Sequence, residues 1–214
     1  MPPSTIEHLA DRAVERTVAG RRAEYSQEMR RIVDTTFSLI ERTGSLEPSM
    51  REILAETGLS TQAFYRYFAS KDELMLALLD EGRRRLVETL QRRMSRSSEP
   101  SGQIRAWIEG VMAQAGNTAV AARTRPWVLS EPRLAELVPQ EQHTSVELLV
   151  GLLAEPITRL QGTKRSKELD ATRAASMVYQ LTFAILRSHL VAGTKPDFRA
   201  TDALVVFCLR GVTP

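Results

Sequence analysis

Residues 58–68 read Gly58-Leu59-Ser60-Thr61-Gln62-Ala63-Phe64-Tyr65-Arg66-Tyr67-Phe68. The chain holds 6 Phe, 4 Tyr and 2 Trp, and four of these aromatics stand within positions 64–68. A glycine followed by a serine cap spells a turn that opens into a helix. On that helix Phe64 and Phe68 are four residues apart and share a face suited to a core. Thr61 with Tyr65, and Gln62 with Arg66, make two more such pairs on the neighbouring arc. The cluster is therefore divided, half of it for packing and half for presentation.

Upstream, a helix over 26–42 places Ile32, Val33, Thr36, Phe37 and Ile40 on one side and ends at Gly44, the residue expected at a helix terminus. Pro48 interrupts the chain. Ser49 then opens a short helix, with Glu52 three residues on to complete a capping box, and Ile53, Leu54 and Thr57 follow. Downstream, Ser70-Lys71-Asp72-Glu73 is a second capping box, opening a long helix to about Met94. Before all of this, Ile6, Leu9, Ala10, Ala13, Val14 and Val18 form a stripe that predicts an N-terminal helix ending before Gly20. The polar segment 95–102 marks a domain boundary. Beyond it, helices are expected over 103–116, 118–130, 132–161, 168–191 and 200–210, with Pro139 and Pro156 kinking or dividing the third. Apolar residues recur at three- and four-residue steps throughout and nowhere alternate as in a strand, so the fold class is all-α.

Composition narrows the functions available. The formal charge is +3, from 29 basic and 26 acidic residues. Residues 1–100 carry 16 of each sign, and no polybasic block exists, so a case for nucleic acid must rest on placement rather than bulk charge. Cys208 is the only cysteine, which excludes an intrachain disulfide and a cysteine-based zinc site. No metal or cofactor is expected. The start, MPPSTIEHLADR, lacks the basic opening and apolar run of a signal peptide. The longest uncharged apolar run, residues 174–186, is 13 residues, short of the ~20 a membrane span needs. The expectation is a soluble, cytoplasmic protein.

The two short helices around Gly58 make a helix-turn-helix, and the presented residues suit a major groove. Glutamine pairs bidentately with adenine and arginine with guanine, and a threonine methyl meets the methyl of thymine. Tyrosine hydroxyls and Lys71 suit phosphates, which set register without reading sequence. Residues 26–80 resemble the DNA-binding domain of the TetR family of bacterial transcriptional regulators. The resemblance is carried by the helix ending at Gly44, Ser49-x-Arg51-x-Ile53, Gly58-Leu59-Ser60, Phe64-Tyr65-x-Tyr67-Phe68 and Ser70-Lys71-x-x-Leu74. It covers about a quarter of the chain. The link Gly44-Ser45-Leu46-Glu47-Pro48 departs from the family in holding a proline and lacking an aromatic residue after the glycine.

The resemblance implies an N-terminal helix-turn-helix domain, a C-terminal helical ligand-binding and dimerisation domain, and a palindromic double-stranded operator. On these boundaries residues 1–25 are a helical extension, 26–96 the DNA-binding domain and 97–214 the second domain. By position, Arg51, Thr61, Gln62 and Arg66 fall where bases are contacted. Ser49, Tyr65, Tyr67 and Lys71 fall where phosphates are contacted. Arg21 and Arg22 read as a solvated helix end, with an arm reaching DNA as the alternative.

In the second half, the uncharged run 174–186 and the final helix around Ala203-Leu204-Val205-Val206-Phe207-Cys208-Leu209-Arg210 are apolar on all sides. Helices without a polar face are buried on both sides, and the economical solution is a four-helix bundle shared by two chains. Val178, Leu181, Ile185, Leu204, Phe207 and Cys208 are the interface candidates. Trp107, Trp127, His143, Tyr179 and Phe183 are candidates for a small-molecule effector pocket, each with plain core or surface as its alternative. Arg105, Arg123 and Arg125 would suit an acidic ligand. The function expected is a regulator, most simply a repressor released by its effector. A regulator without a ligand, working through DNA and a protein partner, is the alternative. A helical enzyme is the remote one: the chain has 3 histidines and no HExxH, G-x-S-x-G or phosphate-loop motif.

Overall fold

The computed structural model describes residues 5–129, 136, 139–162 and 170–213. Among them every regular element is helical and no strand is present. None of these helices is long and apolar enough to cross a membrane. The chain divides into two compact units, Met1–Leu39 with Pro48–Leu78, and Ile40–Glu47 with Leu79–Pro214.

The first unit is built from α1 (Thr5–Thr43), α2 (Met50–Thr57), α3 (Thr61–Phe64) and the start of α4 (Lys71–Met94). The sequence predicts a break before Gly20, but α1 runs through it without interruption. A glycine costs a helix only about 1 kcal/mol, and good helix formers flank this one on both sides. The stripe expected from Ile6, Leu9, Ala10 and Ala13 lies outside the described side chains. The helix stops at Gly44, which adopts φ 70° and donates its N–H to the Ile40 carbonyl at 2.8 Å.

Ile32, Val33, Phe37, Leu39, Ile53, Phe64, Phe68, Leu74 and Leu78 are buried apolar side chains of this unit. Each such side chain contributes roughly 1.5–3 kcal/mol by leaving water. Two polar side chains are buried with them. Thr36 donates its hydroxyl to the Ile32 carbonyl and Thr57 to the Ile53 carbonyl, both at 2.8 Å, so neither leaves a hydrogen bond unmade.

The second unit holds the rest of α4, then α5 (Pro100–Met112) with a 3-10 turn at Ala113–Ala115, α6 (Thr118–Leu129), α7 (Pro139–Gln161), α8 (Ala171–Ala192) and α9 (Phe198–Val212). The helix starts expected at 132 and 168 fall outside the described residues. The described part of α7 begins at Pro139, and the kink expected there falls on residues ahead of it that lie outside the described ones. Pro156 sits inside α7 without dividing it, and a further interior proline, Pro126, lies in α6. Asp170 caps α8 by accepting the Arg173 N–H at 2.9 Å, and Asp197 caps α9 by accepting that of Ala200 at 2.6 Å. The core gathers Leu90, Met94, Ile104, Trp107, Ile108, Leu153, Ile157, Val178, Leu204 and Cys208 among others.

The sequence places the domain boundary in the polar segment 95–102. The contacts change partners earlier, between Leu78 and Leu79, because α4 buries Leu74 and Leu78 in the first unit and Leu90 and Met94 in the second.

Candidate nucleic-acid interface

Three caps hold the helix-turn-helix in place. Ser49 begins α2 with both halves of a capping box: its hydroxyl accepts the Glu52 N–H at 3.2 Å, and the Glu52 carboxylate accepts the Ser49 N–H at 2.7 Å. These bonds, with the Ser49 hydroxyl donating at 2.6 Å, hold the Glu52 carboxyl below its ordinary range, and the charges of Arg51 and Lys71 add to the effect. Gly58 ends α2 in the left-handed region at φ 71°, its N–H donating to the Leu54 carbonyl at 2.9 Å. Ser60 then caps α3 by accepting the Ala63 N–H at 3.1 Å.

The helix read from the sequence as reaching Phe68 is shorter in the structure. It is a single turn, Thr61–Phe64, after which the N–H groups of Arg66 and Tyr67 bond the carbonyls of Ala63 and Phe64 at 3.3 and 2.9 Å. That i→i−3 tightening brings the chain round quickly enough for Phe68 to join Phe64 in the core, their ring centroids 5.7 Å apart. Ser70 opens α4 by accepting the Glu73 N–H at 3.1 Å, while the Glu73 carboxylate reaches back to the Ala69 N–H.

Every candidate base reader is thereby left facing water. Arg51, Thr61, Gln62 and Arg66 are all exposed, as are Ser49 and Tyr65. Tyr65 has 53% of its surface free although its ring edge rests on Phe64 at 5.4 Å. Lys71 is half-buried at the first position of α4. A cation there opposes the helix dipole, which favours an anion at that end. Tyr67 is also half-buried, because its ring lies against Tyr25 of α1 at 4.8 Å. Sequence reading missed Tyr25, which stands too far upstream for any local spacing to link it with Tyr67. Arg31 ties α1 to the end of α2, donating to the Thr57 carbonyl at 3.1 Å while paired with Glu28 at 2.6 Å.

In the second unit three of the five effector candidates come together. Trp107 is fully buried, with the rings of Tyr179 and Phe183 at 6.5 and 6.4 Å, and those two rings lie 4.5 Å from each other. The Trp107 indole N–H has no hydrogen-bond partner among the described residues. His143 is instead exposed and paired with Glu147 at 3.1 Å, and Trp127 is half-buried.

Arg105, Arg123 and Arg125 do not converge on a basic pocket. Arg105 pairs with Asp202 at 2.7 Å and Glu109 at 3.3 Å, Arg123 with Glu41 at 3.6 Å, and Arg125 donates to the Val191 carbonyl at 3.3 Å. No cluster of three His, Cys, Asp or Glu able to hold a metal occurs among the described residues.

The interface candidates separate by exposure. Val178, Leu204 and Cys208 lie in the core of their own unit, Leu181 and Ile185 are half-buried against it, and Phe207 is 67% exposed. Burial pushes the Cys208 thiol up to about 11.

Residues 32–78 match the family described as bacterial regulatory proteins, tetR family. The chain also resembles solved structures of similar length. The fatty acid degradation regulator FadR of Bacillus halodurans superposes with a TM-score of 0.64 at 18% identity, over 86% of this chain and 94% of that one. FadR of Bacillus subtilis in complex with stearoyl-CoA gives 0.64 at 18%, over 86% and 96%. Reduced NemR of E. coli gives 0.63 at 16%, over 87% and 97%. At such identities the likeness speaks for the fold.

Proposed function

We propose that this chain, a transcriptional regulator of the tetR family, binds a palindromic operator as a homodimer and is released from it by a small molecule held in the second unit. The observation that carries the DNA reading is the division of α3 and its flanks. Phe64 and Phe68 anchor the turn in the core, and the same turn leaves Thr61, Gln62 and Arg66 exposed beside Arg51. Arginine and glutamine offer bidentate donors for guanine and adenine edges, each worth about 1–3 kcal/mol of discrimination. Tyr65, Tyr67 and Lys71 then take phosphates and set the register, and Ser49 joins them only by turning its hydroxyl proton away from the Glu52 carboxylate.

A dimer suits the exposed apolar positions of the last two helices, Met177 and Val191 on α8 and Phe207 on α9. A two-fold pair supplies two copies of α3 to two half-sites about a helical turn apart. For the effector, Trp107, Tyr179 and Phe183 offer aromatic faces, and the Trp107 N–H offers a donor without an acceptor. An apolar or aromatic molecule bearing one acceptor fits that chemistry. The solved B. subtilis FadR holds an acyl ligand, stearoyl-CoA.

α1 and α4 each carry residues of both units, and so are the covalent routes between effector and DNA. A ligand preferring the released state by roughly 100-fold would shift the equilibrium by about 2.7 kcal/mol, within the usual range of allosteric coupling. With its output on DNA, the protein works in the cytoplasm on the nucleoid.

The test is selection of bound sequences from a randomised duplex pool with the full-length protein. An enriched inverted repeat is the expected result. A pool retained without any enriched sequence would argue against base reading by α3.

A further inference from the structure

We infer that the helical N-terminal extension is a second, sequence-independent DNA contact, in which Arg21 and Arg22 bind phosphates flanking the site that α3 reads. The inference rests on the proposed function, and specifically on Tyr67 as a phosphate contact. Its foundation is the Tyr25–Tyr67 ring contact at 4.8 Å, which brings α1 alongside the candidate DNA surface at residue 25. Because α1 is unbroken from Thr5 to Thr43, the residues ahead of Tyr25 continue that surface as a helix rather than as a loose arm.

Helix geometry decides which side chains share the Tyr25 face. At 100° per residue, Val14, Val18 and Arg21 fall within about 40° of Tyr25 and Arg22 within about 60°. On the same reckoning Glu15 and Glu24 stand about 80° and 100° away, and Arg16 lies opposite. Between residues 14 and 25 this face thus holds two arginines and no carboxylate. Glu28, which follows Tyr25 by three residues, is taken up by Arg31. Arg21 and Arg22 are exposed, and no carboxylate among the described residues pairs with either.

The spacing fits a nucleic-acid backbone. One helical turn advances about 5.4 Å, and successive phosphates of a strand are about 3.4 Å apart along the DNA axis, so the pair reaches one or two nucleotides beyond Tyr67. Between Arg21 and Val14 the face is neutral, with Val18 and Val14 exposed at 59% and 61%, and the contact ends at Arg21.

The test uses the full-length protein and the operator recovered by selection. Two duplexes are compared by fluorescence anisotropy across a salt series, one trimmed to the inverted repeat and one extended by about five base pairs at each end, roughly half a helical turn. The wild-type protein should bind the extended duplex more tightly whatever the added sequence. Arg21→Ala/Arg22→Ala should lose that gain and keep its base preference. Its slope of log affinity against log salt should be shallower by about 1.8 per protomer, two phosphates at about 0.9 each. Arg21→Lys/Arg22→Lys should restore most of the slope. Both arginines are exposed and alanine is the better helix former, so the variant keeps its fold. An unchanged slope and unchanged flank dependence, with the wild type still binding its operator, overturns the inference alone. A wild type that binds no DNA overturns the proposed function and this contact with it.

Discussion

Phe207 and Cys208 are adjacent in sequence, yet they are expected to fail in different ways. Phe207 is 67% exposed, whereas Cys208 is 4% exposed and belongs to the core of its unit. An aromatic side chain offers about 200 Å² for burial, so some ~130 Å² of Phe207 remains for a partner to cover. At about 25 cal/mol per Å², Phe207→Ala forfeits roughly 2 kcal/mol per protomer after allowing for the methyl that remains. Two symmetric copies make this about 4 kcal/mol, close to a 1,000-fold rise in the dimer dissociation constant. Thermal stability at a concentration where only monomer is present should hardly change. Cys208→Ser should reverse the pattern, burying a hydroxyl at a cost of about 1–3 kcal/mol to the fold. Sedimentation from nanomolar to micromolar protein, with helicity followed by circular dichroism, separates the two. A Phe207→Ala dimer constant within threefold of wild type would refute the assignment of α9 to the interface.

Four further outcomes are expected. Gln62→Ala should alter base preference at one position of each half-site, while Lys71→Ala should weaken all sequences alike and flatten the salt slope; a Lys71→Ala slope equal to wild type would remove its phosphate role. Gly58→Ala meets open space but must hold φ 71°, so it should cost about 1–2 kcal/mol of backbone strain, partly offset by a stiffer unfolded chain; a stabilised variant in chemical denaturation would contradict this. Glu52 has its folded pKa depressed, so its contribution is present at neutral pH, above the unfolded value, and is lost as pH falls through the folded value. Acid titration of Ser49→Ala should accordingly show a weaker loss of stability across that limb than the wild type shows.

What the sequence discloses and what it withholds follow from the range of the interactions involved. The caps at Ser49 and Ser60, the glycine stop at Gly58 and the pairing of Phe64 with Phe68 span four residues or fewer, and local spacing reveals them. The single-turn length of α3 is less legible, because a helix and a tighter i→i−3 turn place the same residues on nearly the same face. Gly20 misleads because propensity is a small local cost that a long helix absorbs.

For α8 and α9, apolar periodicity reports that both sides avoid water but not what covers each side. Val178 and Cys208 meet their own chain, while Met177 and Phe207 are left outside it. Tyr25 and Tyr67 are out of reach of any local pattern, and only the packing of α1 against the turn after α3 brings them together.

The measurement that tests the central claim most directly is anisotropy of the full-length protein on the DNA immediately upstream of its own coding region, with a shuffled duplex as control, over a range of salt concentrations. The account predicts tight, salt-sensitive binding to the native sequence alone, saturating at two chains per site. No binding to either duplex at low salt, where phosphate contacts are strongest, would contradict it and reduce the helix-turn-helix to scaffold.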